Sequence, residues 1–173
     1  MDLKDIIRNI PDFPKPGVVF RDITPLLANP QLFAYAVDRL AAFTQQNESD
    51  VVLAAEARGY LFGAAVAYKL GLPLVIVRKP GKLPHKTVSH TYELEYGTDT
   101  LEIHEDAIRK GQRVMLVDDL LATGGTIEAC AKLVEKLGGV VAGCAFVIEL
   151  SFLKGREKLT DYAVFSIIDY ESE

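Results

Sequence analysis

The stretch Val114-Met115-Leu116-Val117-Asp118-Asp119-Leu120-Leu121-Ala122-Thr123-Gly124-Gly125-Thr126 decides the fold, because it reads as a strand, an acidic pair and a helix start in succession. Its first four residues are apolar and two are valine, which is typical of a strand buried on both faces of a parallel sheet. The following helix is predicted from four apolar positions at helical spacing: Ile127, Ala131, Val134 and Leu137. Ligands of open α/β sheets bind beyond the carboxyl ends of the strands, so the turn is placed to hold one.

The residue types in this turn favour a phosphate group. Gly124 and Gly125 allow the backbone to approach a ligand closely, because they carry no Cβ. The N–H groups at a helix start carry partial positive charge, and Thr123 and Thr126 add hydroxyl donors. The turn is therefore predicted to bind a phosphate.

The two acids before the turn suit a sugar. Carboxylates accept hydrogen bonds from neighbouring hydroxyls, so Asp118 and Asp119 beside a phosphate cradle predict a site for ribose 5-phosphate. Taken separately, an acidic pair is more often a solvated strand end, and Thr-Gly-Gly-Thr is more often an ordinary helix cap. Their succession directly after an apolar strand favours a site. The competing phosphate motifs Gly-x-Gly-x-x-Gly and Gly-x-x-x-x-Gly-Lys-Ser/Thr do not occur in the sequence.

Length and composition bound the class of protein. A chain of 173 residues predicts a single domain over residues 1–173 with a substantial core. A net charge of −5 argues against nucleic-acid binding through a broad basic face. The two cysteines, Cys130 and Cys144, are expected to be buried thiols, and no apolar run reaches the length of a membrane span. We therefore expect a cytoplasmic protein with no nucleic-acid or membrane partner.

Strands and helices alternate along most of the chain. Helices are predicted at residues 2–10, from Asn29-Pro30 to Gln45-Gln46-Asn47, at Tyr60–Leu70 and at Glu105–Lys110. Besides the opening stretch, strands are predicted at Val51–Ala55, Pro73–Arg78, Val140–Leu150 and Ala163–Asp169. This alternation predicts an α/β fold with a five-stranded, mostly parallel sheet flanked by helices.

Residues from about 82 to 104 interrupt the alternation. Two runs in which apolar residues alternate with polar ones flank Gly97-Thr98-Asp99, which predicts a β-hairpin. Its faces are half polar, so we interpret it as a flap that moves over a site. Among its acids, Glu95 is the candidate for carrying a proton to or from a base nitrogen.

Basic residues follow two of the predicted strands. Arg58 comes after the first, and Arg78, Lys79 and Lys82 come at and after the next. In isolation, Arg58 would indicate a simple turn between a strand and a helix, and the second group would indicate a solvated edge of the sheet. Beside a ribose 5-phosphate site they are candidates for binding a diphosphate, which needs several cations.

Five segments carry a resemblance to a known family. They are Gly17-Val18-Val19-Phe20-Arg21-Asp22-Ile23, Arg78-Lys79 with Gly81-Lys82-Leu83-Pro84, Leu94-Glu95-Tyr96-Gly97, the stretch 114–126, and Leu153-Lys154-Gly155-Arg156-Glu157. They run in family order over nearly the whole chain and resemble the adenine phosphoribosyltransferases, within the type I phosphoribosyltransferase fold with its small hood. The first and last segments point to adenine, whereas the stretch 114–126 is shared by many phosphoribosyltransferases.

The resemblance implies a reaction and a set of roles. Adenine and phosphoribosyl diphosphate (PRPP) would give AMP and diphosphate with Mg²⁺, which would be bound mainly through PRPP and water rather than by direct protein ligands. The 5-phosphate and ribose would be held by Ala122, Thr123, Gly124, Gly125, Thr126, Asp118 and Asp119, and the diphosphate by Arg58, Lys79, Lys82 and, from the partner subunit of a homodimer, Arg78. The base would lie among Val19, Phe20, Arg21 and Leu153, although composition alone makes Phe20 core filler. The family also implies a cis peptide between Glu56 and Ala57.

Two alternatives stay open at this point. One is a different base, such as hypoxanthine, guanine, xanthine or orotate, which a site matched to adenine would reject. The other is a regulator that senses PRPP without catalysis, against which we count the acidic charge, the intact hood and the expectation that the sequence carries no added DNA-binding segment.

Overall fold

A five-stranded sheet forms the centre of the computed structural model, which describes residues 2–94 and 96–173. The elements in chain order are β1 (Arg8–Ile10), β2 (Phe20–Asp22), α1 (Thr24–Leu27), α2 (Pro30–Gln46), β3 (Val51–Ala55), α3 (Gly59–Leu70), β4 (Leu74–Val77), β5 (Thr87–Glu93), β6 (Thr98–His104), β7 (Arg113–Leu121), α4 (Gly125–Lys136), β8 (Val140–Leu150) and β9 (Val164–Tyr170). The strand order is β4-β3-β7-β8-β9. Every pair of neighbours is parallel, so the predicted sheet is confirmed and is parallel throughout.

Both faces of the sheet are covered. Successive side chains of a strand point to opposite faces, so Val114 and Leu116 of β7 enter one core while Met115 and Val117 enter the other. The first core is closed by α4 and the hairpin, and the second by α1, α2 and α3. Burial on both faces explains why the strands read as continuous apolar runs.

The amino-terminal segment differs from the prediction. Residues 2–10 do not form a helix: a single 3₁₀ turn, Leu3–Ile6, is followed by β1, which pairs antiparallel with β2. A helix of this length is marginal in water, and pairing with β2 supplies backbone hydrogen bonds that a short helix lacks. We call residues 8–22 the hood.

The segment after β6 also differs from the prediction. Residues 105–110, predicted as a helix, form turns instead. The N–H of Ala107 donates to the carbonyl of His104, and the N–H of Arg109 donates to the side chain of Gln112 at 2.8 Å. These local hydrogen bonds satisfy the backbone without a helix.

The carboxyl edge of the sheet is formed by strands of unequal length. Pairing between β3 and β7 stops at Ala54 and Val117, whereas β7 continues beside β8 to Leu121. The acids predicted to follow the strand therefore lie within it, on the part that extends beyond β3.

In the described parts of the chain, no helix has the length and apolar character needed to cross a membrane.

Candidate active site

A cavity of about 470 Å³ opens at this edge of the sheet. It is lined by Glu56, Ala57, Arg58, Asp118, Asp119, Leu120, Leu121, Ala122, Thr123, Gly124, Gly125, Thr126 and Ile127. The structure thus brings together all the residues predicted for the ribose and the 5-phosphate, with Arg58 from the predicted diphosphate group.

One wall of the cavity is residues 122–126, which we call the glycine loop. Gly124 has a φ of 86°, in the left-handed region that favours glycine, and α4 begins at the next residue. A Cβ on Gly124 would lie 2.7 Å from the carbonyl oxygen of Gly155, so the loop packs backbone against backbone on a distant segment. The helix start directs N–H groups and partial positive charge to this wall, which suits a phosphate.

The two carboxylates of the acidic pair also line the cavity and lie in different environments. Asp119 is buried, and its Oδ2 lies 2.7 Å from Nε of Arg58. Burial and then the charge of Asp119 raise the pKa of Asp118 well above its ordinary value. Gly59 makes room for Asp118, because a Cβ on Gly59 would lie 2.7 Å from Asp118 Oδ1.

The cations after β4 lie outside the cavity lining and are organised by Glu56. Its Oε1 accepts a hydrogen bond from the backbone N–H of Lys79 and lies 3.6 Å from Nε of Arg78. The peptide bond between Glu56 and Ala57 is cis, as the family resemblance implies. Lys82 is exposed, and its N–H donates to the carbonyl of Lys79.

The β5–β6 hairpin links these cations to the glycine loop. Lys79 forms an ion pair with Asp99. Burial lowers the pKa of Lys79, but the hydrogen bond to Asp99 and the nearby negative charges outweigh it, so the pKa is raised. The hydroxyl of Tyr92 lies 3.4 Å from Oδ2 of Asp99 and 3.4 Å from the hydroxyl of Thr126. The predicted hairpin is confirmed and lies against the start of α4.

Glu95, the predicted proton-transfer residue, lies outside the described residues.

The residues predicted to frame a base lie at the hood and after β8. The guanidinium of Arg58 lies 5.3 Å from the ring centroid of Phe20, which places Phe20 beside the cavity. The N–H of Val19 donates to the side chain of Glu173 at 3.1 Å. The side chain of Arg21 is buried, and its guanidinium carbon lies 4.0 Å from the ring centroid of Tyr170. Leu153 is half exposed, two residues before Gly155.

Known proteins match both the sequence and this geometry. Residues 23–173 match the model of the phosphoribosyl transferase domain. Adenine phosphoribosyltransferase of Thermotoga sp. (strain RQ2) is 59% identical over 170 residues, which cover 98% of this chain and 100% of that protein.

The chain belongs to the adenine phosphoribosyltransferase family.

Solved structures agree with this membership. The crystal structure of adenine phosphoribosyltransferase from Thermoanaerobacter pseudethanolicus has a TM-score of 0.94 at 57% identity, covering 96% of this chain and 97% of that one. The enzyme from Saccharomyces cerevisiae, complexed with D-2,5-dideoxy-2,5-imino-altritol 1,6-bisphosphate and adenine, has a TM-score of 0.89 at 42% identity, with coverage of 95% and 96%. The family resemblance and the fold class predicted from the sequence are both confirmed.

Several residues at this phosphoribosyltransferase site were not among the predicted ones. Glu56 lines the cavity and organises the cations, Tyr92 and Asp99 link the hairpin to Thr126 and Lys79, and Gly155 supports the glycine loop. The alternating pattern of β5 identifies Tyr92 as one side chain of a hairpin face. It carries no information about which element that face meets.

Proposed function

We propose that the chain, acting as one domain, transfers the 5-phosphoribosyl group of PRPP to N9 of adenine in this cavity, releasing AMP and diphosphate. The observation that carries the proposal is the convergence of the glycine loop, the acidic pair and Arg58 on one cavity. These groups match the parts of a ribose phosphate in kind: N–H groups for the phosphate and carboxylates for the hydroxyls.

The cations are assigned to the diphosphate. Arg58 presents a half-exposed guanidinium to the cavity, and Lys79 lies at the carboxyl end of the neighbouring strand with Lys82 nearby. A diphosphate would take the place of Asp99 as the partner of Lys79. The cations and a water-excluding hairpin would stabilise the departing diphosphate and protect PRPP from hydrolysis.

Adenine is assigned to the space between the hood and Leu153. The contact between Arg58 and Phe20 supports this assignment, because it brings the hood to the cavity wall. The yeast relative, solved with adenine, supports the choice of base. The C1–diphosphate bond would break largely before the bond to the base forms, and Glu95 would accept the imidazole proton that leaves N9.

Mg²⁺ fits the donors at the site. Asp118 and Asp119 offer carboxylate oxygens, the ligands that Mg²⁺ takes alongside water and substrate phosphates. Within residues 2–94 and 96–173, no group of three or more histidine, cysteine or acidic residues is arranged to hold a metal ion. This donor set suits an ion held mainly by PRPP and water. When bound, it would neutralise charge on the diphosphate.

We propose a homodimer formed through α3 and β4. Four large apolar side chains are exposed on these two neighbouring elements: Leu61, Tyr68, Leu74 and Ile76. Arg78 directly follows the edge strand β4, which would let it reach the partner subunit's diphosphate site. Sedimentation should give a dimer for the wild type and a monomer for Tyr68→Asp, and a monomeric wild type would overturn this assembly.

The decisive test of the function is turnover with PRPP and Mg²⁺ against adenine, hypoxanthine, guanine, xanthine and orotate. We expect AMP from adenine and strong discrimination against hypoxanthine, guanine and xanthine, because a 6-oxo purine reverses donor and acceptor at one edge position. Binding of PRPP without turnover of any base would instead identify a regulator. A Glu95→Gln variant with full turnover would remove Glu95 from the chemistry. We place the reaction in the cytoplasm, and cell fractionation tests that placement.

A further inference from the structure

An ion pair between a buried carboxylate and a half-exposed arginine joins the segment after β8 to the sheet. The carboxylate of Glu149, near the end of β8, is only 4% exposed. Arg156 donates two hydrogen bonds to this carboxylate, from Nε to Oε1 at 2.7 Å and from Nη2 to Oε2 at 2.9 Å. Such two-pronged contacts fix geometry as well as charge.

The same arginine is also tied to the last strand. Nη1 of Arg156 donates to the carbonyl of Val164 at 3.2 Å, and Ser166 donates its hydroxyl to Oε2 of Glu149 at 2.6 Å. Arg156 therefore holds its own backbone against β8 and β9 together. The hydrogen bond to Glu149 outweighs burial and raises the pKa of Arg156, so the guanidinium stays charged.

The residue before Arg156 supports the glycine loop. A Cβ on Gly155 would lie 2.4 Å from the carbonyl oxygen of Ala122 and 2.9 Å from Cδ1 of Leu121. On the other side, the carbonyl of Gly155 packs on Gly124, the residue with left-handed φ. The place of Gly155 therefore sets how far the glycine loop extends toward the cavity.

We infer that Arg156 is a positioning residue for phosphate binding. Through its ion pair with Glu149, Arg156 holds Gly155 against the glycine loop. This inference rests on the proposed function, in which the loop binds the 5-phosphate. A catalytic role is not assigned to Arg156, because it lies outside the cavity lining. Its effect is pre-organisation: loop amides already held in place lose less conformational entropy when the phosphate binds.

Two variants test the inference from opposite directions. Arg156→Lys keeps the charge but loses the two-pronged grip, whereas Gly155→Ala keeps the ion pair and pushes directly on the loop. We expect both to raise the Kd for AMP and the KM for PRPP by about 10- to 100-fold, in line with the effect of misplacing a binding group by an ångström. KM for adenine should change less. If Arg156→Lys does not fold, the double variant Arg156→Gln with Glu149→Gln replaces it, because it leaves no unpaired buried charge.

Matched controls lie at the opposite edge of the sheet. Arg113 bonds the carbonyls of Asn47 and Glu48 through its guanidinium, and a Cβ on Gly139 would lie 2.8 Å from Cγ2 of Ile108. Arg113→Lys and Gly139→Ala should lower the melting temperature while leaving AMP affinity within about twofold, since sites this far apart act independently.

The outcomes separate the inference from the proposed function. If AMP shifts the amide NMR signals of residues 122–126 in the wild type, the loop binds the phosphate. Arg156→Lys with wild-type AMP affinity then overturns the positioning role, whatever its stability. Loss of affinity in Arg156→Lys but not in Gly155→Ala overturns the route through Gly155. If AMP leaves the loop signals unchanged in the wild type, the proposed function fails first and the inference falls with it.

Discussion

Replacing Gly124 by alanine should cost stability and phosphate affinity together, for two separable reasons. The φ of 86° would put an alanine in the left-handed region, at a cost of about 1–2 kcal/mol. The added Cβ would lie 2.7 Å from the carbonyl oxygen of Gly155, and crowding in a packed region costs about 1–3 kcal/mol. The free energy of unfolding should therefore fall by about 2–5 kcal/mol.

A matched control separates the two contributions. Gly111 has a φ of 83°, and in the described structure a Cβ there meets nothing within 4 Å. Gly111→Ala should therefore lose only the cost of the left-handed φ, about 1–2 kcal/mol. Because Gly111 lies at the amino edge of the sheet, the variant should keep wild-type affinity for AMP.

Urea unfolding and titration calorimetry with AMP provide the two measurements. In Gly124→Ala the loop must move away from Gly155, so we expect AMP affinity to fall by about 100-fold if the displacement reaches an ångström. Equal destabilisation of the two variants would show that the contact with Gly155 does not constrain the loop. Wild-type AMP affinity in Gly124→Ala would refute the assignment of this loop to the phosphate.

Three further predictions follow from the burial and charges around the cavity. Because burial and Asp119 raise the pKa of Asp118, wild-type stability should fall as pH rises above the ordinary value of 3.8. Asp118→Asn should therefore gain in melting temperature relative to the wild type as pH rises above about 4, while AMP binding weakens, and parallel pH profiles would contradict this. Arg58→Ala leaves the buried Asp119 carboxylate without its 2.7 Å partner, so it should lose about 1–3 kcal/mol of stability, measured by urea unfolding, together with PRPP affinity. Burial raises the pKa of Cys144 to about 12 and that of Cys130 likewise above its ordinary value, so a thiol reagent at about pH 8 should label neither until the chain is unfolded. Rapid labelling of the native protein would show that α4, which carries Cys130, or β8, which carries Cys144, opens.

The core of the site could be predicted because its parts are contiguous. The acids and the glycine loop occupy one short stretch, and all of its residues from Asp118 to Thr126 line the cavity. Arg58 could be added because the carboxyl ends of parallel strands meet at one edge. The strands of the sheet and α2, α3 and α4 were predicted with bounds within a few residues of those observed, because each is encoded by one contiguous hydrophobic pattern.

The failures and omissions come from contacts between distant segments. Leu3, Ile6, Ile7 and Ile10 have helical spacing, but pairing with residues 20–22 decides the structure of this segment. The support of Gly124 by Gly155 joins residues 31 positions apart in a chain whose local pattern at both places reads only as a turn. The ion pair of Lys79 with Asp99 could not be predicted either, because each residue by itself is typical of a solvated charge.

The register of the sheet explains how two adjacent acids on an extended strand serve one ligand. Successive residues on a strand point to opposite faces, so two neighbouring carboxylates would ordinarily be separated by the sheet itself. Here the partner on one side, β3, stops pairing at Val117, and the chain turns away through residues 56–58 into α3. Beyond that point no described strand pairs with β7 on this side, and Asp118 and Asp119 both line the cavity. The unequal lengths of β3 and β7 therefore place both acids on a part of β7 whose strand neighbour, among the described residues, is β8 alone.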